Sequence, residues 1–376
     1  MADSSRHISV LLDDGMQISR GTGIGKYSER LGRALAAVDG VSVDYLGYEQ
    51  KGDRKNSRLA YLRYINSQEF IARANSYDLC IFTNYAMPRK RLASKTAVTI
   101  HDLAVYDCSD TLPMLYLPYG RAMIRNSMRR ADRIVTVSRT MADAIKQRFP
   151  KGADKVEYAW PGVYDHVRAG KQGAPYDDEN LAKAAASPFF LMVGTVEKRK
   201  NVEFVIEAFA EFKRRGEGRS DYKLILAGRP GFGFDDIEAC VKGSGFAEDI
   251  VFTGYVSDND CANLYRDALA LVFPSVYEGF GSIQNECMAM GLPIILSDIP
   301  TNREVSRDFG TYFKLGDVSG LARALDASID KRNDSKLSVL ADKYLTQFNW
   351  GKVASAYLED IVFRDGPVLK TIKAKQ

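Results

Sequence analysis

Two glutamates and two glycines between residues 274 and 293 form the part of this sequence best suited to chemistry. Glu278 and Glu286 are eight residues apart, close to two helical turns, so a carboxylate at the start of a helix and another inside it can face one cleft. Paired carboxylates in a cleft are typical of general acid and base catalysis. Gly279 and Gly281 leave backbone N–H groups uncovered where we predict the helix to begin, near Gly281, and such groups favour an anion. The stretch suits a ligand that carries both phosphate and hydroxyl groups.

A second charged group follows another predicted strand. That strand begins at Pro188, and Lys198, Arg199 and Lys200 separate it from a helix whose apolar stripe starts at Val202. Cations beside helix-start amides can hold a diphosphate, with lysine as a point charge and arginine as a fork. The alternative is a turn that serves only solubility. It is disfavoured because a strand, the glycine Gly194 and the three charges follow one another in this order.

His101 is the one histidine of three at the end of a predicted strand. It stands with Asp102 after residues 97–100, and open α/β sheets bind ligands at the carboxyl ends of their strands. A core histidine bonded to backbone is the usual alternative. The position at a strand end favours a functional role.

The glycine-rich segment at residues 21–25 follows the first predicted strand and precedes a helical pattern. It is neither a P-loop nor a GxGxxG motif, because Lys26 is followed by Tyr27 and replaces the third glycine. We expect Gly23 to let backbone approach a ligand. A purely structural tight turn is the alternative.

Asp258, Asn259 and Asp260 have the spacing of a metal-binding DxD sequence. Ser257 precedes them and a helical pattern follows, so N-capping and acids at a helix start explain the triplet without a metal. We therefore predict no bound divalent cation and no cofactor.

The elements that must position these residues alternate along the chain. Short apolar runs separated by helical patterns indicate an α/β fold with parallel sheets covered on both faces. The predicted strands cover residues 8–12, 41–46, 79–83, 97–100 and 134–137, a run from 188, and residues 222–227, 250–253, 269–275 and 293–297.

The chain is long enough, at 376 residues, for two domains, and a polar stretch at residues 171–187 is the expected linker. Because the apolar run near the N-terminus is short and ends in acids, we expect neither a secretion signal nor a membrane span there. Five cysteines without CxxC spacing fit reduced thiols in the cytoplasm.

Charge is divided unevenly between the two halves. Residues 1–175 contain 27 Lys and Arg against 18 Asp and Glu, a net charge of +9, whereas the whole chain has +4. The basic half suits an anionic partner such as a membrane surface or a phosphate-bearing substrate, or else a solvated face. An apolar segment at residues 112–119, beside Arg121, Arg125 and Arg129, could contact a lipid-linked acceptor; a packed lid edge is the favoured alternative.

Several of these segments together resemble a known family. VGTVEKRKN, LILAGRPG, VFTGYVSDNDCANLY, FPSVYEGFG and NECMAMGLPIILSD occur in the order and spacing of the retaining family 4 glycosyltransferases. GTGIGKYSERL, TIHDL, TVSRTMADAI and WPGV in the first half are also similar to that family, so the resemblance spans nearly the whole chain.

The resemblance implies the glycosyltransferase B fold, with two Rossmann-like domains facing across a cleft. The N-terminal acceptor-binding domain would cover residues 1–175 and the nucleotide-sugar-binding domain residues 176–350. Residues 351–376 would form a helix that returns to the first domain, followed by a basic tail.

Functional roles also come from the resemblance. Catalytic roles would fall to His101, Lys200 and Glu278, with His101 near the reacting carbon and Glu278 beside the donor sugar. Glu286 would bond the ribose hydroxyls. The implied donor-binding residues are Gly23, Thr195, Arg199, Lys200, Phe280, Gly281, Ser282, Ile283 and Glu286.

The sequence departs from the family pattern at three points. Many members have arginine where Thr195 stands, so Arg199 would have to supply the second cation. The usual Gly-Gly of the first loop is Thr22-Gly23 in this chain. Where members often have Leu-Glu-Ala-Met, this chain has Asn285-Glu286-Cys287-Met288, which keeps the acid.

The resemblance implies transfer of a hexose from a nucleotide-diphosphate sugar with retention and without a metal. By analogy with polysaccharide mannosyl- and rhamnosyltransferases, GDP-mannose is the favoured donor, and a glycan or an undecaprenyl-diphosphate-linked glycan is the acceptor. We expect no nucleic acid partner, and a cytoplasmic protein with peripheral contact to the inner membrane through its basic N-terminal domain. The alternatives are a nucleotide-sugar epimerase of the same fold and a non-catalytic nucleotide-sugar-binding protein; a nicotinamide oxidoreductase is disfavoured because no GxGxxG motif follows a strand.

Overall fold

The structure is a computed structural model that describes residues 7–14, 23–47, 57–164, 167, 173–216, 218–332 and 334–359. Its residues fall into two compact units. The first comprises the chain up to Asp107, Leu115–Gly162 and the chain from Asn349 onward; the second comprises Cys108–Met114 and Val163–Phe348. The predictions for residues 21–22 and 171–172 and for the basic tail lie outside the described residues.

The first unit contains a six-stranded sheet in the order β2-β1-β3-β4-β5-β6, and every neighbouring pair is parallel. Its central strands are short apolar runs that are buried, as expected of a parallel sheet with both faces covered. The strands are β1 (Ile8–Leu12), β2 (Val41–Tyr45), β3 (Leu79–Phe82), β4 (Lys95–Ile100), β5 (Arg133–Thr136) and β6 (Val156–Tyr158).

The helices of the first unit include one from the far end of the chain, which was expected to return to this domain and does so. The Tyr357 hydroxyl lies 3.0 Å from the Tyr27 hydroxyl and 2.6 Å from Thr99 Oγ1, and Arg133 donates to the Glu359 carbonyl at 2.7 Å. The helices cover Gly23–Ala36, Ser57–Ile65, Gln68–Ala74, Ala104–Asp107, Tyr116–Arg130, Arg139–Arg148 and Trp350–Leu358.

The second unit contains another six-stranded parallel sheet, in the order β12-β11-β10-β7-β8-β9. Its strands are β7 (Phe189–Val193), β8 (Lys223–Ala227), β9 (Ile250–Gly254), β10 (Ala270–Phe273), β11 (Ile294–Ser297) and β12 (Gly310–Phe313). The chain builds outward from β7 through β8 to β9, then returns to the other side of β7 with β10. The strand order therefore reverses between β7 and β10, and such a switch point opens a crevice at the carboxyl ends of the strands.

The helices of the second unit pack on this sheet through apolar faces. The predicted stripe on the helix after β7 is confirmed, because Val205, Ile206, Phe209 and Phe212 are all fully buried. The helices cover Glu179–Ala185, Val202–Arg214, Phe234–Gly243, Asp258–Asp267, Ile283–Met290, Pro300–Ser306, Val318–Ser328 and Ser335–Leu345.

The ten predicted strands all occur, with ends within two residues of their expected positions. The strands β6 and β12 were not predicted, because their short sequences, VEY and GTYF, contain no run of three apolar residues.

The apolar segment at residues 112–119 is partly helical, since a helix begins at Tyr116. Of the arginines that follow it, Arg121 and Arg125 lie over the Tyr106 ring, with guanidinium carbons 5.5 and 5.9 Å from the ring centre. Within the described part of the chain, no helix combines the length and apolar composition needed to cross a bilayer.

Candidate functional site

The switch point of the second sheet brings together a carboxylate and two cations. Lys200 follows β7 and Glu278 follows β10, the two neighbouring strands at which the order reverses. The Lys200 ammonium donates a hydrogen bond to Glu278 Oε1, and Arg199 Nη1 lies 3.5 Å from the same oxygen. The structure therefore unites three of the predicted site residues in one cluster.

Glu278 is an ionised carboxylate in this cluster. Its side chain is 9% exposed, and burial alone would raise its pKa; the charges of Lys200 and Arg199 and a hydrogen bond from Lys200 instead lower that pKa below the ordinary value. Its backbone is also held, because Thr301 Oγ1 donates to the Glu278 carbonyl at 2.9 Å. A carboxylate anchored in this way is suited to accepting hydrogen bonds from hydroxyl groups rather than to taking up a proton at neutral pH.

Arg199 forms a second pair that the sequence interpretation missed. Its Nη2 lies 2.8 Å from Glu197 Oε1, and its Nη1 donates to the Tyr277 carbonyl at 3.1 Å. Two cations and two carboxylates thus meet at the end of β7. Lys198 is different, because its ammonium is exposed and pairs with Asp236 at 3.2 Å.

The loop that carries these cations is braced by the loop after β8. Val196 donates its backbone N–H to the Arg229 carbonyl, and Gly231 donates to the Val196 carbonyl, each at 2.9 Å. A Cβ atom on Gly228 would lie 1.8 Å from the Gly194 carbonyl oxygen, so only glycine permits this approach. Thr195 is exposed in this loop.

The helix with Glu286 begins at Ile283, two residues later than predicted. Gly281 precedes it with φ of +77°, in the left-handed region that favours glycine. The Ser282 hydroxyl makes no capping hydrogen bond, and Phe280 is buried with its ring edge against Phe348.

Glu286 has a different partner from Glu278. It lies in the first turn of the Ile283–Met290 helix, is 6% exposed, and accepts a hydrogen bond of 2.7 Å from the Tyr265 hydroxyl at Oε2. Because Glu278 stands before the helix, the two-turn spacing argument does not apply to the pair. Tyr265 was missed by the sequence interpretation, since a tyrosine inside an amphipathic helix reads as core.

His101 and Gly23 belong to the first unit. His101 Nε2 is 2.8 Å from the Thr83 carbonyl oxygen, and a carbonyl only accepts, so Nε2 carries the proton. Burial lowers the pKa of His101 despite this bond and the nearby Asp102 charge, which keeps the ring neutral at pH 7. Gly23 is the first residue of its helix, and a Cβ atom there would meet nothing within 4 Å.

The Asp258-Asn259-Asp260 triplet is used for structure. The Ser257 hydroxyl caps the helix by accepting from the Asp260 N–H at 3.0 Å, as predicted, and Asp260 Oδ1 accepts from the Asp177 N–H at 2.7 Å. Among the residues that the structure describes, no group of three or more His, Cys, Asp or Glu side chains is arranged to hold a metal ion. None of the five cysteines forms a disulfide bond.

The fold and the site together define a Rossmann-like α/β protein with two units and a cation–carboxylate site at a switch point. Residues 21–166 match the model of "Glycosyltransferase Family 4" and residues 175–339 that of "Glycosyl transferases group 1". The chain therefore belongs to the glycosyltransferases that combine these two domains, and its fold is the glycosyltransferase B fold.

Relatives and solved structures agree with this assignment. The chain is 27% identical to O-antigen chain mannosyltransferase B of Escherichia coli over 88% of this chain and 93% of that protein. It is 26% identical to O-antigen chain mannosyltransferase RfbU of Salmonella typhimurium over 80% and 77% of the two chains. Sucrose-phosphate synthase from Thermosynechococcus elongatus has a similar fold, with a TM-score of 0.67 at 19% identity over 99% and 100% of the chains.

Proposed function

We propose that this protein is a retaining mannosyltransferase that moves mannose from GDP-mannose to a hydroxyl group of a glycan in surface polysaccharide synthesis, without a metal ion. The names of the two O-antigen mannosyltransferases that match most of the chain support the sugar and the pathway class. The observation that carries the proposal is the cluster of Lys200, Arg199 and Glu278 at the switch point between β7 and β10.

Cleavage of the bond between sugar and diphosphate leaves negative charge on the phosphate. Lys200 and Arg199 would neutralise this charge together with the backbone amides of residues 280–283 at the start of the Ile283–Met290 helix. Exposed Thr195 would lie beside them on the same loop. Donor binding would redirect the Lys200 ammonium from Glu278 toward the phosphate, because a diphosphate carries more negative charge than a single carboxylate.

The remaining site residues would hold the rest of the donor. Glu278 would accept hydrogen bonds from sugar hydroxyls and orient the ring, while Glu286 would accept from the ribose. In the first unit, His101, neutral and protonated on Nε2, would offer Nδ1 as a hydrogen-bond acceptor, and Gly23 would allow backbone to approach a ligand. In a retaining transfer of this kind the acceptor hydroxyl attacks from the leaving-group face and a phosphate oxygen takes its proton, so no enzymic nucleophile is required.

For the acceptor, we propose an undecaprenyl-diphosphate-linked glycan at the cytoplasmic face of the inner membrane. The net charge of +9 on residues 1–175 supports attraction to an anionic surface. The exposed Leu115 side chain, at the start of the Tyr116–Arg130 helix, supports a contact with lipid.

The test is transfer of radiolabelled mannose from GDP-mannose to membranes that contain lipid-linked glycan, with and without EDTA. We expect full transfer in EDTA and an α-linked product by NMR. Lys200→Met should lower turnover by on the order of 10²-fold or more, because one charge on the leaving group is no longer matched. Lys198→Met is the matched control, since Lys198 pairs with exposed Asp236 and should keep its activity.

Three results would contradict the proposal. Conversion of the sugar nucleotide without any acceptor would identify an epimerase, and nucleotide-sugar binding without conversion would identify a binding protein. Equal turnover of Lys200→Met and wild type would remove the diphosphate role of Lys200.

A further inference from the structure

A buried tyrosine is hydrogen-bonded to Glu286. Tyr265 lies in the Asp258–Asp267 helix with its side chain fully buried, and its hydroxyl donates to Glu286 Oε2 at 2.7 Å. The two residues belong to different helices, and their bond links the helix after β9 to the helix after β10.

Tyr265 is a permanent hydrogen-bond donor. Burial raises its pKa well above the ordinary value, and the nearby Glu286 carboxylate adds to the increase. The tyrosine itself is anchored, because the Tyr265 carbonyl accepts from Arg332 Nη2 at 3.2 Å. Its hydroxyl is therefore neutral throughout the working pH range and fixed in place.

A glutamate that must meet a ligand benefits from such a partner. Its three side-chain torsions lose freedom when the carboxylate is ordered on binding, and this loss of entropy opposes binding. A donor that fixes the carboxylate beforehand removes part of that cost.

The two acids of the site are held in chemically different ways. Glu278 is held by the cations Lys200 and Arg199, whereas the described bond to Glu286 Oε2 comes from a neutral hydroxyl. A neutral donor orients a carboxylate without adding a charge that would compete for the diphosphate.

We propose that Tyr265 is a positioning residue for nucleotide recognition, which acts by presenting the Glu286 carboxylate to the two ribose hydroxyls of the donor. This inference rests on the proposed ribose role of Glu286. Tyr265 touches no part of the ligand itself, so its effect depends on the ribose hydroxyls being present.

The test compares the Kd values of GDP and 2′,3′-dideoxy-GDP by calorimetry in wild type, Tyr265→Phe, Glu286→Gln and the double variant. If GDP does not bind wild type, UDP and 2′,3′-dideoxy-UDP replace the pair. Tyr344→Phe is the matched control, because Tyr344 is also buried in the second unit and donates to a carboxylate, Asp308 Oδ2, at 2.8 Å.

We expect wild type to prefer GDP by at least about tenfold, since a hydrogen bond to a charged group typically contributes that much. Tyr265→Phe should weaken GDP about tenfold and leave dideoxy-GDP within about twofold of wild type. In the Glu286→Gln background, Tyr265→Phe should cause no further loss, because the two act as one unit. Tyr344→Phe should match wild type for both nucleotides.

Each contrary outcome has a distinct meaning. Wild type that binds both nucleotides equally, or neither pair, overturns the ribose role of Glu286 and the inference with it. Wild type that prefers GDP while Tyr265→Phe keeps the same preference overturns the inference alone. Equal weakening of both nucleotides in Tyr265→Phe, with an unchanged ratio, shows a merely structural tyrosine. If Tyr265→Phe does not fold, the inference is tested with Glu286→Asp, whose shortened side chain cannot reach both the tyrosine and the ribose. This variant should lose the preference for GDP. A Glu286→Asp variant that keeps the preference overturns the inference.

Discussion

Removal of the Lys200 charge should change both the stability of the second unit and the way that stability depends on pH. In Lys200→Met the apolar stem remains, so the main change is electrostatic. Glu278 is left with Arg199, whose Nη1 lies 3.5 Å away, in a site where its side chain is only 9% exposed. A buried carboxylate that loses its closest cation is strongly destabilising.

The expected loss in the free energy of unfolding is about 3 kcal/mol at pH 7.5. Removal of one partner from a buried pair typically costs about 3–5 kcal/mol. The lower value applies here because Arg199 and the small solvent-exposed fraction of Glu278 still favour its charged form.

The pH dependence has opposite signs in the two proteins. In wild type the Glu278 pKa is lower than in the unfolded chain, so its contribution to stability is complete above about pH 4.3 and is lost as the pH falls through the folded pKa. In Lys200→Met burial dominates and we expect a raised pKa. The penalty is then complete above the raised folded pKa and shrinks as the pH falls through it, because the protonated acid no longer needs a cation.

Urea denaturation followed by circular dichroism at pH 7.5 and pH 5 checks this prediction. The double variant Lys200→Met/Glu278→Gln should recover most of the loss, since it has neither charge. Lys198→Met, which removes an exposed lysine paired at 3.2 Å with Asp236, should stay within about 0.5 kcal/mol of wild type. The reasoning is refuted if Lys200→Met loses less than about 1 kcal/mol at pH 7.5, or if its loss is the same at both pH values.

Two further predictions concern backbone and histidine. Gly228→Ala should prevent normal folding of the second unit, because its Cβ would lie 1.8 Å from the Gly194 carbonyl oxygen. The control Gly243→Ala, whose Cβ would meet nothing within 4 Å, should be neutral or stabilising. Thermal melting curves that show Gly228→Ala to be the more stable variant would contradict the loop geometry. The His101 ring should titrate below pH 6.5, since burial lowers its pKa, and should carry its proton on Nε2, from which the Thr83 carbonyl accepts. Both properties can be measured by ¹⁵N NMR. A charged ring at pH 7 would show that the imidazole is not buried.

Much of the fold was predictable because burial on both faces of a parallel sheet leaves a local signature. Each central strand is a short apolar run, and the amphipathic helix after β7 shows its stripe at helical spacing. The two missed strands, β6 and β12, have the short sequences VEY and GTYF, in which a polar residue or a glycine leaves no run of three apolar residues.

The site was predictable only in part, because residue types and strand ends are local properties while pairing is not. The sequence indicated Arg199, Lys200 and Glu278 individually, and the glycines and the acid between residues 274 and 293 marked the second strand end. Glu197 was missed, since an acid beside three cations reads as a solvated charge until its bond to Arg199 is seen.

By itself, the sequence determined the α/β class, the positions of the strands other than β6 and β12, and the kinds of side chain at the carboxyl ends of β7 and β10. The tertiary structure alone decided that β7 and β10 are neighbours, although 76 residues separate Val193 from Ala270. It also decided that Glu278 pairs with Lys200 while Glu286 pairs with Tyr265. Strand order depends on how helices pack over the whole sheet, and charge pairing depends on that order, so neither has a counterpart in local spacing.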